Sequence, residues 1–461
     1  MTEQSIKRYF HSVQLIEDKC KGCVNCIKHC PTEAIRVRDG KAQIQEIRCV
    51  DCGECIRMCP NQAKTAIADS LSKLSEFKYN IALPAPALYG QFSGSVEPER
   101  VLAGLLHVGF DDVFEVAYAA EILSGQIRKL LQDPDRPKPL LSSSCPAIVR
   151  LIQVRFPEFI GHIAPVVSPM TLAARMARKQ KAEELGIPGE EIGIFFISPC
   201  PGKVSAIKDP AGYDDRCVDG AISINEIYSK MHNFVYNANG ADVRKTLRRA
   251  SGVGIGWARC GGEIVAIGAK KHISVDGIHQ VIKIMEEMEH GKLLDMDYIE
   301  VLACVGGCVG GVLAVENPFI TRRRIRDLAT IEDHGPVDME IAKRQIKLLE
   351  TVDPGMLQLG KAIEPRPTLS LDEDMTIAIQ KMDQLDKILE ELPGLDCGSC
   401  GAPNCRALAE DIVRGLAVDT DCVFLLREKV HAVAEELMLL AAKIPPAMRM
   451  VKKEVAKDED V

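Results

Sequence analysis

Sixteen of the eighteen cysteines in this 461-residue chain fall into three sets, and their spacing constrains the fold more than any other feature. Two tight runs lie between Cys20 and Cys59, and one closes the chain between Cys397 and Cys422. Between them stand Cys145, Cys200, Cys304 and Cys308, which no short spacing connects. Each sits where an apolar, strand-like run ends, so a fold with parallel strands can bring all four to one point.

A chain of this length is expected to hold two to four domains. Its 46% hydrophobic and 26% charged residues are ordinary for a soluble globular protein. A net charge of −8 argues against a nucleic-acid partner, which needs a basic face. The densest basic run, Arg322 to Arg324, reads as a solvated helix start. The opening MTEQSIKRYF is polar and has no apolar signal region. The longest uncharged apolar run, 301–315, is shorter than the ~18 residues of a membrane-spanning helix. These features lead us to expect a cytoplasmic protein with no membrane partner, its cysteines serving as metal ligands rather than disulfides.

Residues 1–75 hold a duplicated unit, Cys-x2-Cys-x2-Cys-x3-Cys-Pro occurring twice. From Tyr79 onward, short apolar runs at 80–83, 113–117, 140–143, 193–198, 263–268 and 298–303 read as strands. They alternate with helical stretches such as Ile278, Val281, Ile282, Met285 and Met288 on one face. The expected fold class is therefore α/β (α+β overall), with parallel strands in the central domain. Five segments are expected: a two-cluster domain (1–75), the α/β domain (76–352), a proline-bearing linker (353–372), a small helical four-cysteine domain (373–430) and a helical, acidic tail (431–461). The tail helix is expected to break at Pro445-Pro446 and to pack on the body or on a partner.

Each N-terminal run matches the bacterial ferredoxin pattern. Three cysteines two residues apart wrap three corners of a [4Fe–4S] cubane, and the fourth, before proline, ligates the other cluster. Cys20, Cys23, Cys26 and Cys59 are thus expected to hold one cluster, and Cys49, Cys52, Cys55 and Cys30 the other. Tetrahedral zinc has no use for a third cysteine at this spacing. The C-terminal set, Cys397, Cys400, Cys405 and Cys422, resembles the four-cysteine [4Fe–4S] module of the corrinoid iron–sulfur protein and of ferredoxin-like Rnf subunits. Three [4Fe–4S] clusters are expected outside the central set.

In the centre, Gly306, Gly307, Gly310 and Gly311 surround Cys304 and Cys308, a density expected to let backbone pack on something bulky. The segments Ser143-Ser144-Cys145-Pro146, Ser198-Pro199-Cys200-Pro201-Gly202-Lys203 and Glu300-Val301-Leu302-Ala303-Cys304-Val305-Gly306-Gly307-Cys308-Val309-Gly310-Gly311 resemble the three signatures of iron-iron hydrogenases, TSCCP-x-W, MPC-x-x-K-x-x-E and E-x-M-x-C-x-x-GC-x-x-GGG. The resemblance implies a two-lobed α/β domain whose four cysteines hold the [4Fe–4S] part of an H-cluster. Cys308 would bridge to a diiron subcluster carrying CO, CN⁻ and azadithiolate. Lys203 would donate to a cyanide, and Ala85-Pro86-Ala87 and Ser168 would line the same ligands. Glu121 and Arg128, seven apart, resemble the family's proton-path pair.

The departures matter as much. The residue before the first cluster cysteine, a proton-passing cysteine in catalytic members, is Ser144. A thiol with pKa near ~8.5 exchanges protons readily at neutral pH and an alkyl hydroxyl does not. Ile148, Ser198, Ala206 and Leu302 replace further signature residues, and Ser124 stands where a second proton-path glutamate is expected. The pattern resembles the sensory subgroup. Its implied activity is slow, reversible reaction with H2 and protons, with Ser144, Lys203, Glu121 and Cys308 in the catalytic machinery. Implied partners are ferredoxin or another redox protein, hydrogenase maturation proteins and a signalling partner. The alternatives are a catalytic ferredoxin-linked hydrogenase and an electron-transfer subunit lacking the diiron site. Cys217, Cys260, the ten histidines and the glycines of 252–256 receive no role.

Overall fold

The computed structural model describes residues 9–213, 215–237, 247–330, 339–368, 370–372 and 374–443. The Pro445-Pro446 break and the acidic end lie outside them. The chain divides into two compact units, 1–369 and 370–461.

The first unit opens with two small antiparallel pairs. β1 (Val13–Leu15) pairs with β4 (Lys64–Ala66), and β2 (Ile35–Arg38) with β3 (Lys41–Ile44). Two parallel sheets follow. The larger has the order β6-β5-β8-β9, with β5 at Tyr79–Pro84, β6 at Asp112–Val113, β8 at Ile192–Ser198 and β9 at Gly220–Ser223. The smaller has the order β10-β11-β7, with β7 at Leu140–Leu141, β10 at His272–Asp276 and β11 at Tyr298–Leu302. Every pairing within these two sheets is parallel. β8 reads Ile-Gly-Ile-Phe-Phe-Ile-Ser and is buried along its whole length, as a strand covered by helices on both faces must be. The mixed α/β fold with parallel sheets agrees with the sequence reading.

Two of the expected strands are corrected. Residues 263–268 form a helix, Gly262–Ile267, bounded by Gly261 and Gly268 in the left-handed region (φ +84° and +71°). A short apolar run has the same composition in either state, and the glycine caps decide for the helix. Only the first residue of 113–117 belongs to a strand, because the helix Val116–Leu130 starts within that run.

The stretch 353–368 lies on the first unit. Val167 N–H donates to Leu357 O at 3.0 Å, Arg366 N–H to Gln153 O at 2.9 Å and the Thr368 hydroxyl to Val154 O at 3.0 Å. The second unit holds the helices Met375–Glu391, Cys405–Val413 and Val423–Ala441 around a small core that includes Leu385, Ala402, Leu408 and Cys422. Among the described residues no helix is long and apolar enough to cross a membrane.

Candidate metal and proton-transfer site

The central cysteines sit at strand ends of both sheets. Cys200 follows β8 in the larger sheet, while Cys145 follows β7 and Cys304 follows β11 in the smaller one. Cys145 and Cys200 share one local grammar: each is the N-cap of a helix whose first residue is proline, Pro146 or Pro201. Proline lacks the N–H that a first helical turn leaves unpaired anyway, so the chain turns sharply from strand to helix with the thiol at the corner. Cys308 opens a short 3-10 turn, Cys308–Gly310.

The four thiols are electrostatic neighbours: Cys304, Cys308 and Cys145 each act on Cys200. Withheld water pushes Cys304 up to about 11 and Cys308 to about 12. Four soft sulfur donors from both sheets fit an iron–sulfur cubane, whose iron takes the place of the protons.

Three of the glycines around Cys304 and Cys308 make room for neighbouring backbone. A Cβ on Gly311 would stand 2.2 Å from Pro199 O, one on Gly310 2.1 Å from Val305 O and one on Gly307 2.7 Å from Cys260 N. They let backbone pack on backbone, which folds the loop tightly enough to bring Cys308 back beside the strand ends.

A cavity beside Cys308 is walled by Ala85, Pro86, Phe196, Pro199, Leu302 and Trp257 and reached by Lys203, Ser144, Glu263 and Glu300. Mostly apolar walls with a single ammonium fit a small group bearing anionic diatomic ligands. Lys203 donates to Ser144 O at 2.9 Å. Ala87 is fully buried in the neighbouring core and is not among the lining residues. Ser168 caps the helix Pro169–Leu185 and lines a second cavity, on the side of Ser144 and Lys203 that also holds Ala206. Of the other replaced signature positions, Ile148 is core and the Ser198 hydroxyl donates to Cys200 O at 2.9 Å.

Glu121 is not brought to this cavity. It is buried mid-helix, accepts from Ser251, pairs with Arg344 at 3.1 Å and lines a separate cavity. Arg128 instead donates to Ala266 O and Ile267 O, both at 2.9 Å. The sequence reading missed the carboxylate that does stand behind Ser144, which is Glu263. Its Oε2 accepts from Ser142 Oγ at 2.7 Å and Ser144 Oγ at 3.3 Å, and its Oε1 from Tyr298 OH at 2.6 Å. Burial pushes the Glu263 carboxyl up. Glu300, mid-strand in β11, is pushed up to about 8, first by burial and then by the charge of Glu263. Its Oε2 accepts from the exposed Ser274 at 3.3 Å. One signal was available in the sequence: Glu263 and Glu300 are single charges inside otherwise apolar runs.

The N-terminal cysteines group across the duplication. Cys23, Cys20 and Cys59 act on Cys26, while Cys30, Cys55 and Cys49 act on Cys52. The two halves repeat one contact, as Cys30 Sγ accepts from Ala34 N–H and Cys59 Sγ from Ala63 N–H, both at 3.2 Å. The Cys49–Cys55 side faces the central set, and Arg57 hydrogen-bonds Cys304 and donates to Gly310 O at 2.7 Å. In the second unit Cys397 and Cys422 neighbour Cys400. His11, Cys49 and Asp51 also approach one another, but the Asp51 oxygens already accept from Ser12, Val13, Arg150 and Ser205.

Comparison with known proteins follows this division. Residues 78–312 match the family model "Iron only hydrogenase large subunit, C-terminal domain", residues 12–60 a 4Fe-4S dicluster domain and residues 392–424 an Fe-S cluster domain. The periplasmic [Fe] hydrogenase large subunit of Nitratidesulfovibrio vulgaris is 33% identical over 212 residues, covering 42% of this chain and 50% of that one. A cytosolic Fe-S cluster assembly factor NAR1 homolog of Schizosaccharomyces japonicus is 34% identical over 65 residues, 14% of this chain and 13% of that one. The chain spans half or less of the length of these relatives. Among solved structures, a variant of the [FeFe]-hydrogenase HydA1 from Chlamydomonas reinhardtii superposes with a TM-score of 0.50 at 17% identity. That match covers 64% of this chain and 98% of that one, and it is a likeness of fold.

Proposed function

The chain belongs to the iron-only hydrogenase family, and from that premise we propose that it binds an H-cluster, reacts slowly and reversibly with H2, and reports the result to a partner as a sensor. The observation that carries this reading is the pairing of Ser144 with Glu263 beside Cys308.

Cys145, Cys200, Cys304 and Cys308 would hold the cubane, and Cys308, which lines the cavity, would also hold the diiron group. Lys203, Ala85 and Pro86 are assigned to the wall around its ligands, Ala87 to the core behind that wall and Ser168 to the neighbouring cavity. When bound, the diiron group supplies the chemistry that splits or forms H2. The protein's part is to move the proton. Glu263 and Glu300 are buried and mutually repelling, so the pair keeps a proton at neutral pH. Glu263, when protonated, would pass the proton to the Ser144 hydroxyl, and Glu300, which feels the Glu263 charge and accepts from the exposed Ser274, is assigned to the surface side of the pair. A hydroxyl relays a proton only by accepting and donating at once, because it does not ionise, and this keeps turnover low. Glu121 is assigned to a second, slower entry point on the helix Val116–Leu130. Cys20, Cys23, Cys26 and Cys59, and Cys30, Cys49, Cys52 and Cys55, would hold the two clusters that link a ferredoxin-like donor to the central set, and Cys397, Cys400, Cys405 and Cys422 would hold the one assigned to the signalling partner. The diiron group comes from maturation proteins. We place the protein in the cytoplasm, where cluster cysteines stay reduced. The Nitratidesulfovibrio relative is named as periplasmic, and cell fractionation decides.

Hydrogen evolution by the matured protein tests the reading. Ser144→Cys should raise the rate at least tenfold, and Glu263→Gln should lower it by roughly a hundredfold. A natural chain already as fast as its Cys variant sinks the sensor reading. The likeness to the NAR1 homolog favours a second reading, a cluster protein that never receives the diiron group. Infrared bands of CO and CN⁻ after anaerobic maturation are expected under the first reading and missing under the second.

A further inference from the structure

The helix Val423–Ala441 starts directly after Cys422, its N-cap residue. Along it Val423, Leu426, Val430, Val433, Leu437 and Leu440 recur at alternating steps of three and four. That is the a/d spacing of a two-stranded coiled coil, which holds one straight seam along a helix. All six are exposed, from 39% at Val423 to 61% at Leu437. Such a stripe of aliphatic side chains in water marks an interaction face.

We propose that this helix pairs with the same helix of a second copy as an antiparallel two-stranded coiled coil. The seam is its own complement when reversed. With Val430 of one copy opposite Val433 of the other, Leu426 falls opposite Leu437 and Val423 opposite Leu440. Every seam residue then meets an apolar partner. The flanking charges select the direction. In the antiparallel order g positions face g positions, so the exposed Lys429 of one copy, which pairs with Asp419 of its own chain, also meets Glu436 of the other, twice per dimer. The e positions, Arg427 and Ala434, bring no like charges together. A parallel pair would instead set Lys429 against Ala434 and Glu436 against Ala441, and neither charge would gain a partner. Six layers make a short seam, so the dimer should be of micromolar rather than nanomolar strength. The inference uses no property of the central site and stands whether or not that site binds a diiron group.

Sedimentation velocity of the full chain with its clusters reconstituted tests it, with iron–sulfur absorbance as the check on folding. A concentration-dependent monomer–dimer equilibrium is expected. Val430→Asp and Leu437→Asp should each abolish it with absorbance unchanged. Lys429→Glu and Glu436→Lys should each weaken the dimer by roughly tenfold, and the double reversal should restore it. A monomer at every concentration, with this helix covered by the chain's own body or by nothing, overturns the proposal. A dimer indifferent to Val430→Asp does the same. A dimer that Val430→Asp dissociates but neither charge reversal weakens overturns the antiparallel order.

Discussion

Ser144 and Glu263 show how far one side chain's chemistry depends on the next. A serine hydroxyl in water is no proton carrier at neutral pH. Here it donates to the Glu263 carboxyl, which burial pushes up, and under the proposed reading the two form one link of a relay. Glu300 carries a consequence that does not depend on turnover. Its carboxyl titrates at about 8 in the folded chain, while an unfolded glutamate titrates near ~4.3. Between those values the folded chain keeps a proton that the unfolded chain releases. This contribution to stability is complete below pH ~4.3 and is lost as pH rises through 8. Glu300→Gln should therefore melt progressively higher than the natural chain as pH rises from 4 toward 9. An offset equal at every pH would remove the case for a shifted Glu300.

At the scale of elements, the central site is made by three strand ends and one glycine-bearing loop. Strand, cysteine, proline and helix follow one another at both Cys145 and Cys200, so the position of the thiol is set by local geometry. The loop after β11 depends instead on close backbone packing. Gly311→Ala would press a methyl group against Pro199 O, part of the turn that presents Cys200. We expect a loss of about 1–3 kcal/mol in chemical denaturation, together with weaker iron retention by the central set. An unchanged denaturation midpoint would mean that the turn yields at no cost.

Across the first unit, one buried ion pair ties the N-terminal cluster segment to the α/β body. Arg150 Nη1 meets Asp51 Oδ2 at 3.2 Å, with side-chain exposures of 3% and 0%. Asp51 sits between Cys49 and Cys52, and its oxygens also accept from Ser12 N–H at 3.0 Å and Ser205 Oγ at 2.5 Å. Arg150 in turn donates to Phe10 O and Asp209 O. Asp51→Asn removes the closer of two carboxylates from a buried guanidinium that still reaches Asp209 at 3.5 Å, so it should cost about 1–3 kcal/mol. It should also slow electron entry to the central set, read as the rate of cluster reduction by dithionite. Full stability in the variant would show that the segment is held by its apolar contacts alone.

The central four cysteines were legible only through the signature segments around them, while cysteine spacing was enough to read the duplicated N-terminal unit and the C-terminal set, because cluster ligation there is written in short, local intervals. Parallel α/β architecture was legible for the same reason, since β8 and β11 are apolar runs bounded by turns. The state of 262–267 was not legible, because its six residues are as apolar as a strand and only Gly261 and Gly268 turn them into a helix. Nor was the carboxylate behind Ser144. Glu121 lies 23 positions before Ser144 and faces Arg344, while Glu263 lies 119 positions after it and touches it. Sequence distance carries no information about which buried charge meets which hydroxyl. Sequence by itself marked this chain as an iron–sulfur protein, because ligand motifs are local, and only the tertiary fold decided which carboxylate stands behind Ser144, because that contact joins residues far apart in the chain.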